Sequence, residues 1–226
     1  MPDVGVLIPA GGRGERAGGG EPKQFRLLAG QPVLLRSIRP FASHPDVGQI
    51  VVALPAEVAA NPPGWLREAA GDRVRLVAGG ATRATSVREA LRALAPGHGV
   101  VLVHDAARPM VTREEIDAVI AGARAGEGAV PAVPVADTLK RALDDGRVVE
   151  TPTRAGLWRA LTPQGFPRPV LEAAFARAET LGELGATDDA AMVEALGTTV
   201  RLVPGSHRNI KLTTPDDFAL AEAWLR

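Results

Sequence analysis

Residues 4–25 read VGVLIPAGGRGERAGGGEPKQF, and this stretch decides the fold. The apolar run Val4–Ile8 is typical of a buried strand. The segment Pro9–Phe25 that follows holds six glycines, two arginines and one lysine, and no bulky apolar residue before its last position. Glycines let backbone N–H groups approach a ligand closely, and the cations add positive charge. The stretch therefore predicts a strand followed by a polyphosphate-binding loop.

Two familiar kinds of phosphate loop do not fit this segment. Gly12–Ala17 matches the dinucleotide fingerprint G-x-G-x-x-G/A, but that fingerprint needs a helix opening inside the glycines and an acid about 20 residues further on. Pro22 disfavours a helix at Glu21, and Phe25–Leu35 contains no acid. A Walker loop fails because no Gly-Lys-Ser/Thr follows. We favour a long basic loop over a glycine-rich surface connector. Its cations are Arg13, Arg16 and Lys23.

Composition and charge restrict the class of protein. A chain of 226 residues forms one domain, or one domain with an appendage. Because 26 Lys and Arg balance 26 Asp and Glu, we expect no nucleic-acid partner. The absence of cysteine excludes disulfides, thiolate metal sites and a Cys nucleophile. The start of the chain is unlike a signal peptide, and the first apolar run is too short to cross a bilayer. We therefore expect a cytoplasmic protein with no membrane partner.

Strand and helix patterns alternate along most of the chain. Predicted strands are Val4–Ile8, Gln49–Leu54, Arg73–Val77, Gly99–Val103, Gly128–Val133, Leu157–Leu161 and Thr199–Val203, and Asn209–Leu212 is strand-like. Predicted helices are Pro32–Ala42, Asn61–Ala70, Thr82–Leu94, Thr112–Arg124, Val170–Thr180, Thr187–Leu196 and Thr214–Arg226. This alternation predicts an α/β fold with a doubly wound, mostly parallel sheet. Ligands bind beyond the carboxyl ends of such strands, so the loops at Pro9, Ala78 and His104 are expected at one edge.

The alternation breaks after Pro134. Asp137–Leu143 and Arg147–Thr151 flank an Asp-Asp-Gly turn, which predicts a β-hairpin. A hairpin this short buries no core of its own. We interpret residues 137–153 as an arm that projects onto a second subunit; a hairpin folded back on its own domain is the alternative.

Three further segments place polar side chains after predicted strands. Arg83 and Ser86 lie one turn apart at a helix N-terminus after Gly79-Gly80, where exposed N–H groups favour anions, although a simple capped helix is the alternative. Asp105 ends a strand beside the phosphate loop, which suits a hard cation, although such an Asp is also often structural. Arg108 could pair with Asp105 or contact phosphate. Lys211 lies in an apolar run, and lysines are seldom buried without an anionic partner.

Together these residues suit nucleotidyl transfer. Lysine and arginine neutralise a triphosphate, and positioning and electrostatics carry such a reaction without a covalent protein nucleophile. His104 is interpreted as structural, because the attacking phosphate is already anionic near neutral pH. A non-catalytic nucleotide-binding regulator would not need Lys23, Asp105 and Lys211 together, and an NAD-dependent dehydrogenase lacks its ribose acid here.

The motifs resemble one family over nearly the whole chain. They are PAGGRGER with PKQF, GGATRATSV, VLVHDAARP, PVADTLKR, RAGLWRALTPQGF, ATDDA and NIKLTTPDDF. The sequence resembles 2-C-methyl-D-erythritol 4-phosphate cytidylyltransferases of the non-mevalonate isoprenoid pathway. The resemblance implies one Rossmann-like nucleotidyltransferase domain over residues 1–226, acting on CTP and a small phosphorylated polyol with Mg²⁺. It also implies a homodimer formed through the arm.

The resemblance also implies roles for individual residues. The catalytic cations are Arg16, Lys23 and Lys211. The metal ligand is Asp105. The nucleotide-binding residues are Pro9, Ala10, Gly11, Gly12, Gly80, Arg83, Ser86, Asp105, Ala106 and Arg108. The substrate-phosphate residues are Thr138, Arg154, Thr162 and Thr187, some of which the partner subunit would supply.

Two departures and one rival qualify the resemblance. Some relatives carry a carboxylate just before Asn-Ile-Lys, where this chain has Ser206-His207-Arg208, so we expect a metal site with a single protein carboxylate. Ala81 stands where some relatives carry Asp, so only a backbone role is expected there. Ribitol-5-phosphate cytidylyltransferases share the nucleotide half and are the alternative. Asp137–Lys140 and Leu157–Ala160 favour the methylerythritol family.

Overall fold

The computed structural model describes residues 2–12, 22–184 and 188–226. In these ranges the strands are β1 (Val4–Pro9), β2 (Leu27–Leu28), β3 (Gln31–Pro32), β4 (Val47–Leu54), β5 (Val74–Ala78), β6 (Val100–Val103), β7 (Gly128–Pro134), β8 (Arg141–Ala142), β9 (Val148–Glu150), β10 (Trp158–Ala160), β11 (Gln164–Pro167) and β12 (Val200–Pro204). The helices there are α1 (Val33–Ala42), α2 (Ala56–Ala60), α3 (Gly64–Ala70), α4 (Arg83–Ala93), α5 (Arg113–Arg124), α6 (Arg168–Leu181), α7 (Asp189–Glu194) and α8 (Pro215–Leu225). Arg13, Arg16 and Thr187 lie outside the described residues.

One mixed sheet organises the described part of the chain. Its strand order is β10-β7-β11-β6-β1-β4-β5, and β12 also pairs with β7. β1 pairs in parallel with both β4 and β6, so that Leu7 lies opposite Val51 on one side and Val103 on the other. β10 and β11 are the antiparallel members. The carboxyl ends of β1 and β6 are therefore neighbours where the strand order reverses, which is the usual ligand position in such sheets.

Helices cover both faces of this sheet. One buried cluster joins the strands to α1, α3 and α5 and includes Phe41, Leu66 and Ile116. The other joins them to α4, α6 and α7 and includes Val87 and Phe175. Long runs of buried residues in β1, β4 and β6 agree with strands that are covered on both sides. The predicted doubly wound, mostly parallel α/β fold is confirmed.

Three helix starts were specified by sequence. Thr82, Thr112 and Thr214 are the N-caps of α4, α5 and α8, and each makes a reciprocal capping box with the residue three positions later. Such caps satisfy N–H groups that the helix itself leaves unpaired. In α5 the partner of Thr112 in this box is Glu115, the N3 residue.

The predicted hairpin forms, and it stands away from the core. β8 pairs antiparallel with β9, and residues 136–160 are exposed except for the half-buried Pro152. Its exposed apolar side chains are Leu139, Leu143, Val148 and Val149, and Leu157 and Trp158 are exposed where the chain returns to the sheet. β10 returns the chain to the sheet beside the strand it left, with Trp158 opposite Pro134.

Some elements differ from the prediction. Asn209–Leu212 forms no strand; its backbone instead follows the loop after β6, where Leu212 N–H donates to the Ala107 carbonyl at 2.8 Å. β11 was not predicted, nor were α2 and the short β2–β3 pair. Asn61 does not begin a helix, because α3 starts at Gly64.

Candidate active site

A cavity of about 360 Å³ lies at the carboxyl ends of β1 and β6. Its walls are the loop after β1, the start of α4, the loop after β6 and the segment before α8. The predicted site residues on its lining are Pro9, Ala10, Gly11, Gly12, Lys23, Gly80, Arg83, Ser86, Asp105, Ala106 and Lys211. Segments far apart in sequence thus meet at one edge of the sheet, as the topology requires.

The buried side chain of Gln24 shapes the first wall. Its Nε2 donates to the Ala10 carbonyl at 2.7 Å and to the Gly12 carbonyl at 3.0 Å. Gln24 is almost fully buried, so these bonds lie away from competing water. The Ala10 N–H donates to the Ala53 carbonyl of β4 at 2.7 Å. The backbone that leaves β1 is therefore fixed on both sides before it enters the glycine-rich loop.

The start of α4 forms the opposite wall. The buried Ser86 hydroxyl lies 3.2 Å from both the N–H and the carbonyl oxygen of Gly80, and it also donates to the Thr82 carbonyl. A Cβ at Gly80 would lie 2.3 Å from Thr85 Oγ1. Only glycine lets the chain pass this close to the helix start, and Gly80 lies on the cavity lining.

A carboxylate surrounded by three cations is the electrostatic centre of the site. Asp105 Oδ1 accepts from Arg83 Nε at 3.0 Å. Asp105 Oδ2 lies 2.9 Å from Lys211 Nζ and 3.5 Å from Arg108 Nε. Burial by itself would raise the pKa of Asp105, but Arg83, Lys211 and Arg108 outweigh it and hold the pKa well below its ordinary value. Asp105 is therefore ionised at any pH at which the protein works.

A buried polar network positions the segment that carries Lys211. Arg108 Nη1 donates to the Asn209 carbonyl at 2.8 Å. Asn209 Nδ2 donates to Glu115 Oε1 and to the Thr162 carbonyl. Glu115, at the start of α5, also accepts from the Ser206 N–H at 2.8 Å. One buried glutamate thus joins a helix start to the segment that ends at the lysine.

The surroundings of His104 agree with the structural role predicted from the sequence. His104 is fully buried beside Phe41, and its Nε2 lies 3.0 Å from the Arg108 carbonyl, which can only accept. Nδ1 is therefore the acceptor for the Thr162 hydroxyl at 3.0 Å, and that hydroxyl accepts in turn from the Asp105 N–H at 3.1 Å. Burial lowers the pKa of His104 to about 4, so the ring is neutral at physiological pH.

A smaller cavity of about 190 Å³ shares Arg83, Asp105 and Lys211 with the first. Arg108 and Thr162, both predicted site residues, line it together with Gln164 and Asp188. The cationic cluster around Asp105 thus faces two adjoining cavities, one bounded by the glycine-rich backbone and the other by β10, β11 and the start of α7.

A profile of the 2-C-methyl-D-erythritol 4-phosphate cytidylyltransferase family matches residues 4–226. The chain belongs to this family. A 2-C-methyl-D-erythritol 4-phosphate cytidylyltransferase of Salinibacter ruber is 49% identical over 221 residues, which cover 97% of this chain and 92% of that protein. One of Frankia casuarinae is 48% identical over 225 residues, covering 99% and 82% respectively.

A solved structure of the family agrees with the fold. The crystal structure of the 2-C-methyl-D-erythritol 4-phosphate cytidylyltransferase from Thermus thermophilus has a TM-score of 0.81 and 39% sequence identity, and the match covers 98% of both chains. The nucleotidyltransferase fold is therefore established for this chain by sequence and by shape.

Not every residue predicted from the cytidylyltransferase resemblance comes together. Thr138 and Arg154 lie exposed on the arm and line neither of these two cavities, and Arg154 donates to the Ala136 carbonyl. Arg16 and Thr187 fall outside the described residues. Within the described ranges no group of three or more His, Asp or Glu is placed to hold a metal ion, and no helix is long and apolar enough to cross a bilayer.

Sequence reasoning missed three buried side chains that build the site. The sequence signal for Gln24 is a polar residue directly between Lys23 and Phe25, within the motif PKQF. Gln164 and Asp189 lie in the motifs RAGLWRALTPQGF and ATDDA, but the motifs do not show their partners, which lie far away in the sequence: Asp189 Oδ2 accepts from Arg83 Nη1, 106 positions earlier.

Proposed function

We propose that this protein transfers the cytidylyl group of CTP to 2-C-methyl-D-erythritol 4-phosphate. The products are 4-diphosphocytidyl-2-C-methyl-D-erythritol and pyrophosphate, in isoprenoid precursor biosynthesis. One observation carries the proposal: Lys23, Lys211 and Asp105 converge on a cavity whose other walls are glycine-rich backbone. Family membership over residues 4–226 and relatives named for this reaction at nearly half identity support it.

The reaction joins two phosphates directly. A phosphate oxygen of the acceptor attacks the α-phosphorus of CTP, the new P–O bond forms, and the bond to the bridging oxygen of the β-phosphate breaks. Pyrophosphate leaves with the electron pair of that bond. No proton needs to be taken from an already anionic phosphate, so a protein base is not required. The protein contributes position and positive charge.

The described residues divide this work between them. Backbone groups at Gly11, Gly12 and Gly80 are close enough to the cavity to hold nucleoside and phosphates, and Ser86 fixes the backbone of that wall. Lys23 and Lys211 lie where they can neutralise charge that grows on the α-phosphate oxygens. Arg16 is proposed as a further catalytic cation on the strength of the motif alone.

Mg²⁺ fits the donor set as an ion shared between nucleotide and protein. Mg²⁺ is usually bound through one or two carboxylates together with substrate phosphates, and Asp105 is an ionised carboxylate on the cavity wall. Bound there, Mg²⁺ would supply neutralisation of the triphosphate oxygens. Ser206-His207-Arg208 offers no second carboxylate, so the nucleotide would provide most of the ligands.

The acceptor belongs in the smaller cavity beside Asp105. Its cations Arg83, Arg108 and Lys211 suit a phosphomonoester. Thr138 and Arg154 on the exposed arm, with Thr187, are proposed to complete an acceptor site across a homodimer. The four exposed apolar side chains of the arm, Leu139, Leu143, Val148 and Val149, support a protein partner there, because apolar exposure marks interaction surfaces. Location in the cytoplasm stays a prediction.

The direct test is pyrophosphate release with CTP and Mg²⁺. Purified protein is assayed with 2-C-methyl-D-erythritol 4-phosphate and, in parallel, with ribitol 5-phosphate. Release with the first acceptor alone is expected. Release with ribitol 5-phosphate alone would retain the nucleotide chemistry and overturn the acceptor. Release with neither would overturn the proposed reaction.

A further inference from the structure

The guanidinium of Arg83 lies between two buried carboxylates. Its Nε donates to Asp105 Oδ1 at 3.0 Å and its Nη1 donates to Asp189 Oδ2 at 2.7 Å. Asp189 is completely buried, whereas Arg83 is 30% exposed on the cavity side. The planar fork of arginine allows both contacts at once. One cation thus joins the carboxylate proposed for metal binding to a second carboxylate that lines neither of the two cavities around Asp105.

Asp189 is held in place from the strand that pairs with β6. Gln164, at the start of β11, accepts from the N–H groups of Asp189 and Ala190 at 3.1 and 3.0 Å. Its Nε2 donates to Asp188 Oδ2 at 2.8 Å. Gln164 lies opposite Val103, two positions before Asp105. The start of α7 and the end of β6 are therefore positioned by the same pair of strands.

Packing alone does not account for the burial of the Asp189 carboxylate. Its Oδ1 is buried and has no hydrogen-bond partner among the described residues. Burial of a carboxylate costs several kcal/mol in order of magnitude, and a buried ion pair is often no more stable than apolar side chains of the same size. Burial raises the pKa of Asp189, against the opposing influence of Arg83. A carboxylate buried at such a cost in free energy is expected where its charge has a role in the neighbouring active site.

The charges around Asp105 indicate how Asp189 affects the site. Arg83, Arg108 and Lys211 all contact Asp105, so its two oxygens are shared by three cations. A divalent cation has to compete with them for the same oxygens. Asp189 accepts a second bond from Arg83, so Arg83 keeps a counter-ion when Asp105 turns to another cation. Without Asp189, Asp105 would be the only carboxylate within contact of Arg83 among the described residues.

We propose that Asp189 is a positioning residue that holds Arg83 and so leaves the Asp105 carboxylate available to the divalent cation that accompanies CTP. The inference rests on the proposed function, because it assumes that CTP and a divalent cation meet at Asp105. Asp189 touches neither of them. It acts through Arg83, and its loss lowers the advantage that the metal gives to nucleotide binding.

Calorimetry with CTP in the absence of acceptor tests the proposal. The dissociation constant of CTP is measured with Mn²⁺ and again with EDTA, and the ratio of the two is the metal advantage. Loss of a residue that orients a metal ligand typically costs about 10–100-fold in metal affinity or activity. We therefore expect Asp189→Asn to reduce the metal advantage about tenfold or more, and Asp189→Glu to recover part of it.

The matched control removes another carboxylate that pairs with α4. Glu179 lies 2.6 Å from Arg88 Nη1, away from both cavities that flank Asp105. Glu179→Gln is expected to leave the metal advantage unchanged. Urea unfolding of each variant separates loss of stability from loss of the metal advantage. If the Arg83–Asp189 pair is merely structural, its removal lowers the free energy of unfolding and leaves the metal advantage unchanged.

Each outcome decides something. A metal advantage equal in wild type and Asp189→Asn overturns the inference, as does a wild-type protein that binds CTP with no metal advantage. A wild type that does not bind CTP at all defeats the proposed function itself. Should Asp189→Asn fail to fold, Arg83→Lys decides, because a lysine keeps the charge but cannot bond both carboxylates. An unchanged metal advantage in Arg83→Lys overturns the inference.

Discussion

Lys211 Nζ lies 2.9 Å from Asp105 Oδ2, the oxygen that Arg83 leaves free. Among the three cations in contact with Asp105, Lys211 is the most exposed, at 41% of its side chain against 30% for Arg83 and 12% for Arg108. It is therefore the contact that a nucleotide phosphate displaces most readily. Lys211 is already beside Asp105 before substrate arrives. Only a small movement of its side chain is therefore needed to exchange the carboxylate for a nucleotide phosphate.

Removal of the Lys211 charge should slow transfer. We expect Lys211→Met to lower kcat about 10²–10³-fold, the usual cost of losing one donor to developing transition-state charge. Lys211→Arg should recover part of the loss. Arg208→Met is the control, since Arg208 is an exposed cation in the same segment and contacts Trp224 instead of the cavity. Steady-state pyrophosphate release measures all three, and equal kcat in Lys211→Met and wild type would contradict the role.

Asp105 should control the dependence on Mg²⁺. We expect Asp105→Asn to raise the Mg²⁺ concentration for half-maximal rate about tenfold or more, because a neutral amide oxygen is a weaker ligand for a hard cation than a carboxylate. Asp117→Asn, at a half-exposed aspartate paired with His44, is the matched control. An Asp105→Asn enzyme with the wild-type Mg²⁺ dependence would remove Asp105 from the metal site.

Gln24 should act on nucleotide binding through the backbone. Gln24→Met removes the two hydrogen bonds to the Ala10 and Gly12 carbonyls, and each such bond contributes about 1 kcal/mol. We expect KM for CTP to rise about 3–30-fold while KM for the acceptor changes little. Gln49→Met is the control, because Gln49 accepts from the Ala95 N–H at 2.7 Å away from the cavity. A matching rise in both variants would point to stability, not to the loop.

His104 should make stability depend on pH. Its pKa is about 4 in the folded protein and 6.5 ordinarily, so the unfolded chain binds the extra proton between these values. The free energy of unfolding is therefore highest above pH 6.5 and falls as pH drops towards 4, by about 1.4 kcal/mol per unit. His104→Gln should flatten this part of the curve in urea unfolding at several pH values. A parallel curve would mean that His104 titrates normally.

The same His104→Gln enzyme separates structure from catalysis. Because the attacking phosphate is already anionic, we expect kcat to fall by less than about 10³-fold when the fold is intact; general acid–base catalysis contributes about 10²–10⁴-fold. A greater loss with unchanged stability would make His104 a participant in the reaction.

Mixed dimers should show whether the acceptor site is shared between subunits. Lys23→Ala removes a cation of the nucleotide cavity, and Arg154→Ala removes one from the arm. If the arm of one subunit completes the site of the other, mixing the two inactive variants restores about a quarter to a half of wild-type activity. Restoration fails if each chain completes its own site, and sedimentation as a monomer would exclude sharing altogether.

Local sequence signals predicted the nucleotide half well, because its helices and strands depend on residues that are close together in the sequence. The β1 strand, the α4 and α5 starts and the capping box at Thr112 depend on residues within four positions of each other. Here the apolar period and the cap specify the structure before any distant contact forms.

Short local elements such as α2 and the β2–β3 pair were also missed, but the other misses depend on distant partners. β11 is only four residues long beside a proline, and it becomes a strand because it fits between β6 and β7. Asn209–Leu212 has an alternating pattern, yet the buried Asn209 uses its amide to join Glu115 and Thr162. Asp189 resembles an ordinary first-turn acid, and only the tertiary fold reveals Arg83 beside it. The structure at such residues depends on tertiary contacts with residues that are distant in the sequence, so local patterns do not predict it.

The arm leaves the sheet at β7 and returns through β10 on that same strand, with Trp158 opposite Pro134. Its two attachment points are therefore adjacent, and the hairpin between them is exposed except at Pro152. Changes in length or sequence within residues 136–157 are therefore expected to leave the strands that carry Asp105 and the glycine-rich backbone in place. If the arm completes the proposed acceptor site of a partner subunit, changes in this one segment alter acceptor recognition and subunit pairing together, without cost to the recognition of the nucleotide.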